Sequence, residues 1–285
     1  MLSKRQKLLT ASAIVVMVAG GGACQFVDRA IMIPEYAEVL TLDSQQLRCF
    51  QNENSEIKPL DNNGLINLTV WNIYKGGKPG WQEGLNQFSH HADLVLLQEA
   101  SLHDEFRQYL EQTPWQVAMA NAFTFFSHSA GVLNLSRTAA LQSCAYLSVE
   151  PWLKLPKSAL YAEFLLSDGQ TLAVVNLHGI NFTLGTEQYQ QQLGALTAAL
   201  RYHVGPMIVA GDFNTWRKGR QRVVEDFAKE LGLSHTLFND DYRTRVLGLP
   251  LDHLFYRGLQ LVEANAPQTD ASDHNPLLAQ FQVMR

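Results

Sequence analysis

Short apolar runs bounded by turn residues recur along most of the chain. They occupy residues 65–71, 94–97, 131–135, 172–177, 207–210, 251–256 and 277–281. Runs of this length and spacing predict β-strands. Residues 187–202, rich in Gln, Leu and Ala, and residues 222–231, with apolar positions at helical spacing, predict helices; Gly232 stops the second. The run 122–126, Ala-Phe-Thr-Phe-Phe, reads as a strand, with an exposed lipid-touching loop as the other reading. Strands mixed with helices predict α/β or α+β packing, with sheets covered by helices. No short-period repeat or low-complexity tract is present.

The texture differs before residue 65. Residues 25–64 lack periodicity and carry the polar clusters 51–56 and 61–64, which predicts a linker or loop-rich extension. Residues 1–24 differ again. Lys4, Arg5 and Lys7 precede an apolar or small stretch over 8–19, followed by Gly21, Gly22, Ala23 and Cys24. The stretch fits the ~7–15 residues of a signal h-region and is shorter than the ~20 of a comfortable membrane span. The expectation is export or tethering to the inner membrane through 1–24, with a cytoplasmic N-terminal helix as the alternative. The catalytic body is then 65–285, expected to be one domain and a monomer.

The 285 residues are 46% hydrophobic and 17% charged, with 19 Gly, 10 Pro and 3 Cys. That composition excludes wholesale disorder, collagen, coiled coil and a disulfide-dense scaffold. The formal net charge is -5, and the three N-terminal cations leave the remainder more acidic still. An acidic body argues against nucleic-acid binding driven by overall charge, while leaving room for acids clustered at a metal site. Cys49 and Cys144 either pair in an oxidising compartment or stay as thiols; spacing decides neither.

The chemistry gathers at strand ends. Asn72 follows the first apolar run, in parity with Ile66, Leu68 and Val70 and so at the rim of a core-facing row. Glu99 follows a run apolar on both faces, which suits a central strand. His178 ends 172–177, with Asn181 three residues on. Asp212 and Asn214, in Gly-Asp-Phe-Asn, share parity and can converge on one phosphate. Asp252 opens the next run, and Asp273-His274 precedes the last. Polar tips on several strands make a site on a rigid scaffold. The donors are oxygen and imidazole without thiolate, which suits Mg2+ or Mn2+ beside a substrate phosphate. His274 is a candidate general acid/base, and Asp212 a candidate to orient or deprotonate water, which is metal-assisted phosphoester hydrolysis. His253 faces the other way and reads as packing. His90 and His91 read as a solvated loop, and the tryptophans, Trp152 included, mostly as core, although Trp216 can line the cleft. The basic run 217–222 reads either as a solvated helix start or as contact to phosphate through Arg217 and Lys218.

The ordered blocks Val-Trp-Asn72, Gln-Glu99, His178 with Asn181, Gly-Asp212-Phe-Asn214, Asp252-His-Leu-Phe-Tyr and Ser-Asp273-His274 resemble the endonuclease/exonuclease/phosphatase (DNase I-like) superfamily over about 65–285. Val-Trp-Asn-Ile-Tyr-Lys, Phe-Tyr-Arg-Gly-Leu and Ala-Ser-Asp-His-Asn-Pro-Leu-Leu are similar to its bacterial YafD-type subgroup. The resemblance implies a four-layer αββα sandwich of two mixed β-sheets flanked by helices. It implies Glu99 as ligand of the divalent metal, with Asn72 nearby and Asp273 direct or through water. Asp212 would position the water, Asn214 would contact the phosphate, and His274 paired with Asp252 would stabilise the transition state. His178 and Asn181 fall where members carry Tyr or His followed by Asn. The implied function is a phosphodiesterase of nuclease type. Its substrate would be a nucleic acid, or a phospholipid or inositol phosphate in the alternative; the third reading is a tethered binding protein without turnover.

Overall fold

The computed structural model describes residues 31–42, 48–53, 56–183 and 185–284. The expectations for residues 1–24 lie outside them. Two sheets stack face to face. The first orders β1 (Ile31–Met32), β6 (Gln116–Phe125), β7 (His128–Ser136), β5 (Leu94–Ser101), β4 (Leu65–Asn72), β17 (Leu277–Val283) and β16 (Leu259–Asn265), with β2 (Glu38–Leu40) also on β6. The second orders β12 (Ser234–His235), β15 (Asp252–Arg257), β11 (Met207–Asp212), β10 (Thr171–His178), β9 (Pro156–Leu165), β8 (Gln142–Val149) and β3 (Cys49–Gln51). A small ribbon joins β13 (Arg245–Val246) to β14 (Leu249–Pro250).

Alternation along the strands builds three apolar layers. Ile66, Leu68 and Val70 of β4 and Leu94 and Leu96 of β5 point inward. They meet Leu172 and Val174 of β10, Ile208 and Ala210 of β11, and Leu254 of β15. The opposite parity of β4 and β5, Trp71, Val95 and Leu97, packs under α1 (Trp81–Ser89) and α2 (Asp104–Glu111) through Leu85, Phe106 and Leu110. Val175, Leu177 and Val209 pack under α3 (Glu187–Leu200) and α4 (Lys218–Glu230) through Leu193, Leu196, Val224 and Phe227. The result is the αββα sandwich with mixed sheets. Helices α1 and α2 escape a periodicity reading because two turns give too few repeats. None of the described helices is long and apolar enough to cross a membrane.

Each sheet holds one parallel pair at its centre, β4 with β5 and β10 with β11. Their carboxyl ends carry Asn72, Glu99, His178 and Asp212. Strand ends of this kind leave side chains beyond the last ladder bond, where a crevice forms.

Residues 31–32, 38–40 and 49–51 form strands. β1 and β2 extend the first sheet and β3 extends the second, across the β6 and β8 edges. The polar composition misleads because edge strands bury only some of their side chains. Cys49 and Cys144 are register partners on β3 and β8, with Cα atoms 4.0 Å apart, and are joined as a disulfide.

Candidate active site

Register assembles the second sheet's share of the site. His178 stands opposite Asp212 across β10–β11, and Asp212 opposite Asp252 across β11–β15. All three continue rows that lower down are the inter-sheet core: Asn176 below His178, Ala210 below Asp212 and Leu254 below Asp252. Gly211 permits the close strand approach. A Cβ there would lie 2.0 Å from the Leu177 carbonyl oxygen, and its φ of +139° is one that glycine tolerates.

Glu99 needs a different device. Leu96 and Gln98 face inward, so strict alternation would turn Glu99 toward the helices. A bulge between Leu97 and Ala100 and a left-handed φ of 51° at Glu99 turn the carboxylate back to the strand-end cluster. There its Oε1 lies 3.9 Å from His178 Nε2. The tight turn Tyr74–Gly76 brings Lys75 Nζ into an ion pair with Glu99 Oε2.

Asp212 is the hub. Its Oδ2 accepts from Asn72 Nδ2 at 3.1 Å and lies 3.5 Å from His178 Nε2 and 3.9 Å from His274 Nε2. Its Oδ1 accepts from the Asn214 backbone N–H at 2.9 Å. This is an Asx-turn, and it also fixes the catalytic candidate. Asn214, at φ 52°, donates its amide to the Gly179 carbonyl at 2.9 Å. His274 Nδ1 sits 2.8 Å from Asp252 Oδ2. The loop carrying it is tied to β4: Trp71 Nε1 donates to the His274 carbonyl at 2.9 Å and Ser272 Oγ to the Asn72 carbonyl at 2.6 Å.

The electrostatics separate the roles. Burial pushes the Asp212 carboxyl up, the His274 cation pulls it down and Asp252 raises it again, leaving it at about 6. Burial alone would discharge His274, but Asp252 and Asp212 outweigh it and lift the imidazole to about 10. Burial and then Lys157 hold His178 well below its usual value, so it is neutral. Lys157 Nζ lies 3.0 Å from His178 Nε2. An ammonium only donates, so this Nε2 accepts and the ring proton sits on Nδ1. Burial would raise Glu99, but Lys157 and then Lys75 outweigh it and hold the carboxyl below the usual carboxylate range.

Asp212, Asp252 and His274 offer ligand atoms within 4.8 Å of one another. Within this trio His274 Nδ1 is turned to Asp252 and its Nε2 toward Asp212. Glu99, without a proton and with the Asn72 amide and neutral His178 near it, is the donor group that suits a hard divalent cation.

The structure thus brings together Asn72, Glu99, His178, Asp212, Asn214, Asp252 and His274. Four candidates stand apart from direct contact with the hub. Asn181 Oδ1 accepts from Trp216 Nε1 at 2.9 Å, and the Asn181 N–H donates to Glu150 at 2.6 Å. Arg217 spends its guanidinium on the carbonyls of Thr183 and Gly185 and lies over the Trp216 ring, while Lys218 is exposed at the start of α4. Asp273 Oδ1 lies 3.3 Å from Ser272 Oγ, beside His274. The basic run is also not uniform. Arg220 is buried, donating to the carbonyls of Ile180, Asn214 and Asn181 at 2.6, 3.1 and 2.8 Å. Lys157 and Glu150 carried no sequence signal. Lys75 did, as the last residue of Val-Trp-Asn-Ile-Tyr-Lys. His253 packs inward against Thr215, as expected, and His90 and His91 are exposed. Trp71, Trp81 and Trp115 are core, but Trp152 is 60% exposed.

This fold and strand-end cluster define a DNase I-like sandwich protein. The chain belongs to the Endonuclease/Exonuclease/phosphatase family, whose sequence pattern matches residues 69–274. It is 50% identical over 254 residues to a UPF0294 protein of Vibrio vulnificus (strain CMCP6), covering 87% of this chain and 89% of that protein. The fold is similar to that of an endonuclease/exonuclease/phosphatase from Bacteroides vulgatus: TM-score 0.63, 17% identity, 77% of this chain and 99% of that one. It is also similar to the human Nocturnin catalytic domain with bound sulfate anion, with TM-score 0.58, 18% identity, 80% of this chain and 98% of that one. At these identities the two structures speak for the fold.

Proposed function

We propose that the chain is a divalent-metal-dependent phosphodiesterase. The observation that carries this is geometric: Asp212 Oδ2 lies 3.9 Å from His274 Nε2, with His274 Nδ1 on Asp252 and the Glu99 carboxylate beside them, and this setting pushes the carboxyl up to about 6 and the imidazole up to about 10. One can take a proton near neutrality while the other holds one. Glu99 and Asn72 would hold Mg2+ or Mn2+, which when bound supplies charge for the phosphoryl oxygens and lowers the cost of forming hydroxide.

The chain's own residues supply the rest. Asp212, held by Asn72 and the Asn214 N–H, orients a water and accepts its proton. His274, held by Asp252, offers its Nε2–H to the negative charge that builds on the phosphoryl oxygens. His178 and Lys157 border the same space. Both lysines are already engaged, Lys75 with Glu99 and Lys157 with His178. That supports a singly charged diester over a dianionic monoester. The Cys49–Cys144 disulfide supports work in an oxidising compartment, reached through residues 1–24.

The test is hydrolysis of bis-p-nitrophenyl phosphate and p-nitrophenyl phosphate by the whole chain with Mg2+ or Mn2+. Turnover of the diester that EDTA removes and added metal restores is the expected result. Preference for the monoester would overturn the diester reading. Metal-independent turnover would overturn the metal reading, and turnover of neither substrate would overturn the enzyme reading in favour of a binding protein.

A further inference from the structure

Two hairpin tips rise from the end of the sandwich that carries the site. β7 begins beside the end of β5, with Ala130 opposite Ser101, and β9 begins beside the end of β10, with Ala159 opposite Leu177. Ser158 Oγ accepts from the Val132 N–H at 3.1 Å, which fixes the two hairpins at one height across the sheets. Beyond that level each strand continues about four residues to its turn, on the order of 13 Å. The β6–β7 turn carries Phe125 and Phe126, 41% and 57% exposed, and the β8–β9 turn carries Trp152 and Leu153, 60% and 47% exposed. Lys154 is exposed on the second turn, and Lys157, four residues from Leu153, touches His178.

Phe125 and Phe126 touch edge to face, ring centroids 4.5 Å apart, yet both stay exposed, and both turns lie at the end of the sandwich that carries the site. Trp and Phe tips beside lysine suit the boundary between headgroups and acyl chains, where an aromatic body is buried and cations meet lipid phosphate. The chain outside the described residues agrees. Ile31 is the register partner of Phe125, so residues 1–30 join the domain at the first tip. Eleven residues separate the apolar stretch 8–19 from Ile31, a reach of at most about 40 Å.

We propose that the β6–β7 and β8–β9 tips insert into a phospholipid bilayer and seat the site on it, so that its substrates are headgroup phosphodiesters in that surface. The substrate half rests on the phosphodiesterase reading; the insertion does not. The second tip acts as an anchor independent of the N-terminal stretch, since no strand pairing links β8–β9 to β1.

The experiment uses the whole chain with phosphatidylglycerol–phosphatidylcholine vesicles carrying brominated acyl chains, which quench tryptophan at the interface. Trp71, Trp81 and Trp115 are buried and Trp216 is half-buried with its Nε1 held by Asn181, so Trp152 should dominate the quenching. The expected result is strong quenching that Trp152→Phe largely removes while the protein stays on the vesicles through its N-terminal stretch. Equal quenching in both proteins would overturn the proposal. So would Trp152 emission that is already blue-shifted without lipid, because the chain's own apolar segment would then cover the tip. In the hydrolysis arm, Trp152→Ser with Leu153→Ser should cut headgroup release from vesicles about tenfold and leave bis-p-nitrophenyl phosphate turnover unchanged. Equal loss on both substrates would overturn it as a folding defect. Quenching as expected with no turnover of the soluble diester would sink the phosphodiesterase reading and leave the membrane surface standing.

Discussion

His178 stands opposite Asp212 across the parallel β10–β11 pair, its Nε2 3.5 Å from Asp212 Oδ2. Both residues end rows that are apolar further down, so the site is the polar rim of the inter-sheet core. Burial is therefore the leading influence on Glu99, His178, Asp212 and His274, and neighbours decide how far each is moved.

Asp212→Asn should remove the proton acceptor while keeping the shape. Metal-dependent diester hydrolysis is expected to fall by about 10^2–10^4. Folding should not suffer. The native carboxyl is raised from 3.8 to about 6, so its contribution to stability is complete below 3.8 and lost as pH rises through 6. At pH 8 the variant should melt about 2–5 °C higher. Calorimetry beside the rate assay checks both; a lower melting temperature would show that Asp212 is a structural keystone.

The pH profile should be bell-shaped. The rate rises as Asp212 ionises near 6 and falls as His274 discharges near 10. Asp252 is the main influence raising His274, so Asp252→Asn should bring the alkaline limb down by more than a pH unit. The linked stability has a defined window. A folded-state value raised above 6.5 stabilises fully below 6.5 and stops doing so as pH rises through about 10. Denaturant titrations of wild type and Asp252→Asn at pH 6, 8 and 10.5 should therefore converge at the highest pH.

Lys75 competes with any cation at Glu99. The two form an ion pair in which Glu99 keeps only 12% of its side chain exposed. Lys75→Met should let Mg2+ bind severalfold more tightly, because the carboxylate keeps its charge through Lys157 while losing a resident ammonium. Isothermal titration of metal into the inactive Asp212→Asn background reads this without turnover. Weaker binding would make Lys75 an organiser of Glu99 rather than its competitor.

The disulfide closes a separation of 95 residues. Cys49→Ala with Cys144→Ala should cost about 2–5 kcal/mol in denaturant unfolding. Activity in the absence of denaturant should persist, since β3 and β8 lie at the far edge of the second sheet from β11. Loss of diester turnover in the folded variant would tie that edge to the site.

Much of the site could be read from the chain. Parity with Ile66, Leu68 and Val70 placed Asn72, and parity within Gly-Asp-Phe-Asn placed Asp212 with Asn214, because a strand's period of two is local. The same locality explains the strands at 65–71, 172–177 and 207–210. It also explains what failed. β1, β2 and β3 are short edge strands whose pattern becomes apolar-in and polar-out only against partners some 80 to 95 residues away. Trp152 looks like core by type, and only its place on a turn exposes it.

The chain by itself determined which side chains end the core rows, because alternation and turn residues are properties of adjacent positions. Tertiary structure decided what those side chains do. The bulge that turns Glu99 inward and the register that sets Asp252, Asp212 and His178 abreast depend on strands far apart in sequence. So do the lysines that hold Glu99 ionised and His178 neutral. Charge and proton affinity are set by what lies across a few ångströms of space, and no spacing along the chain encodes that distance.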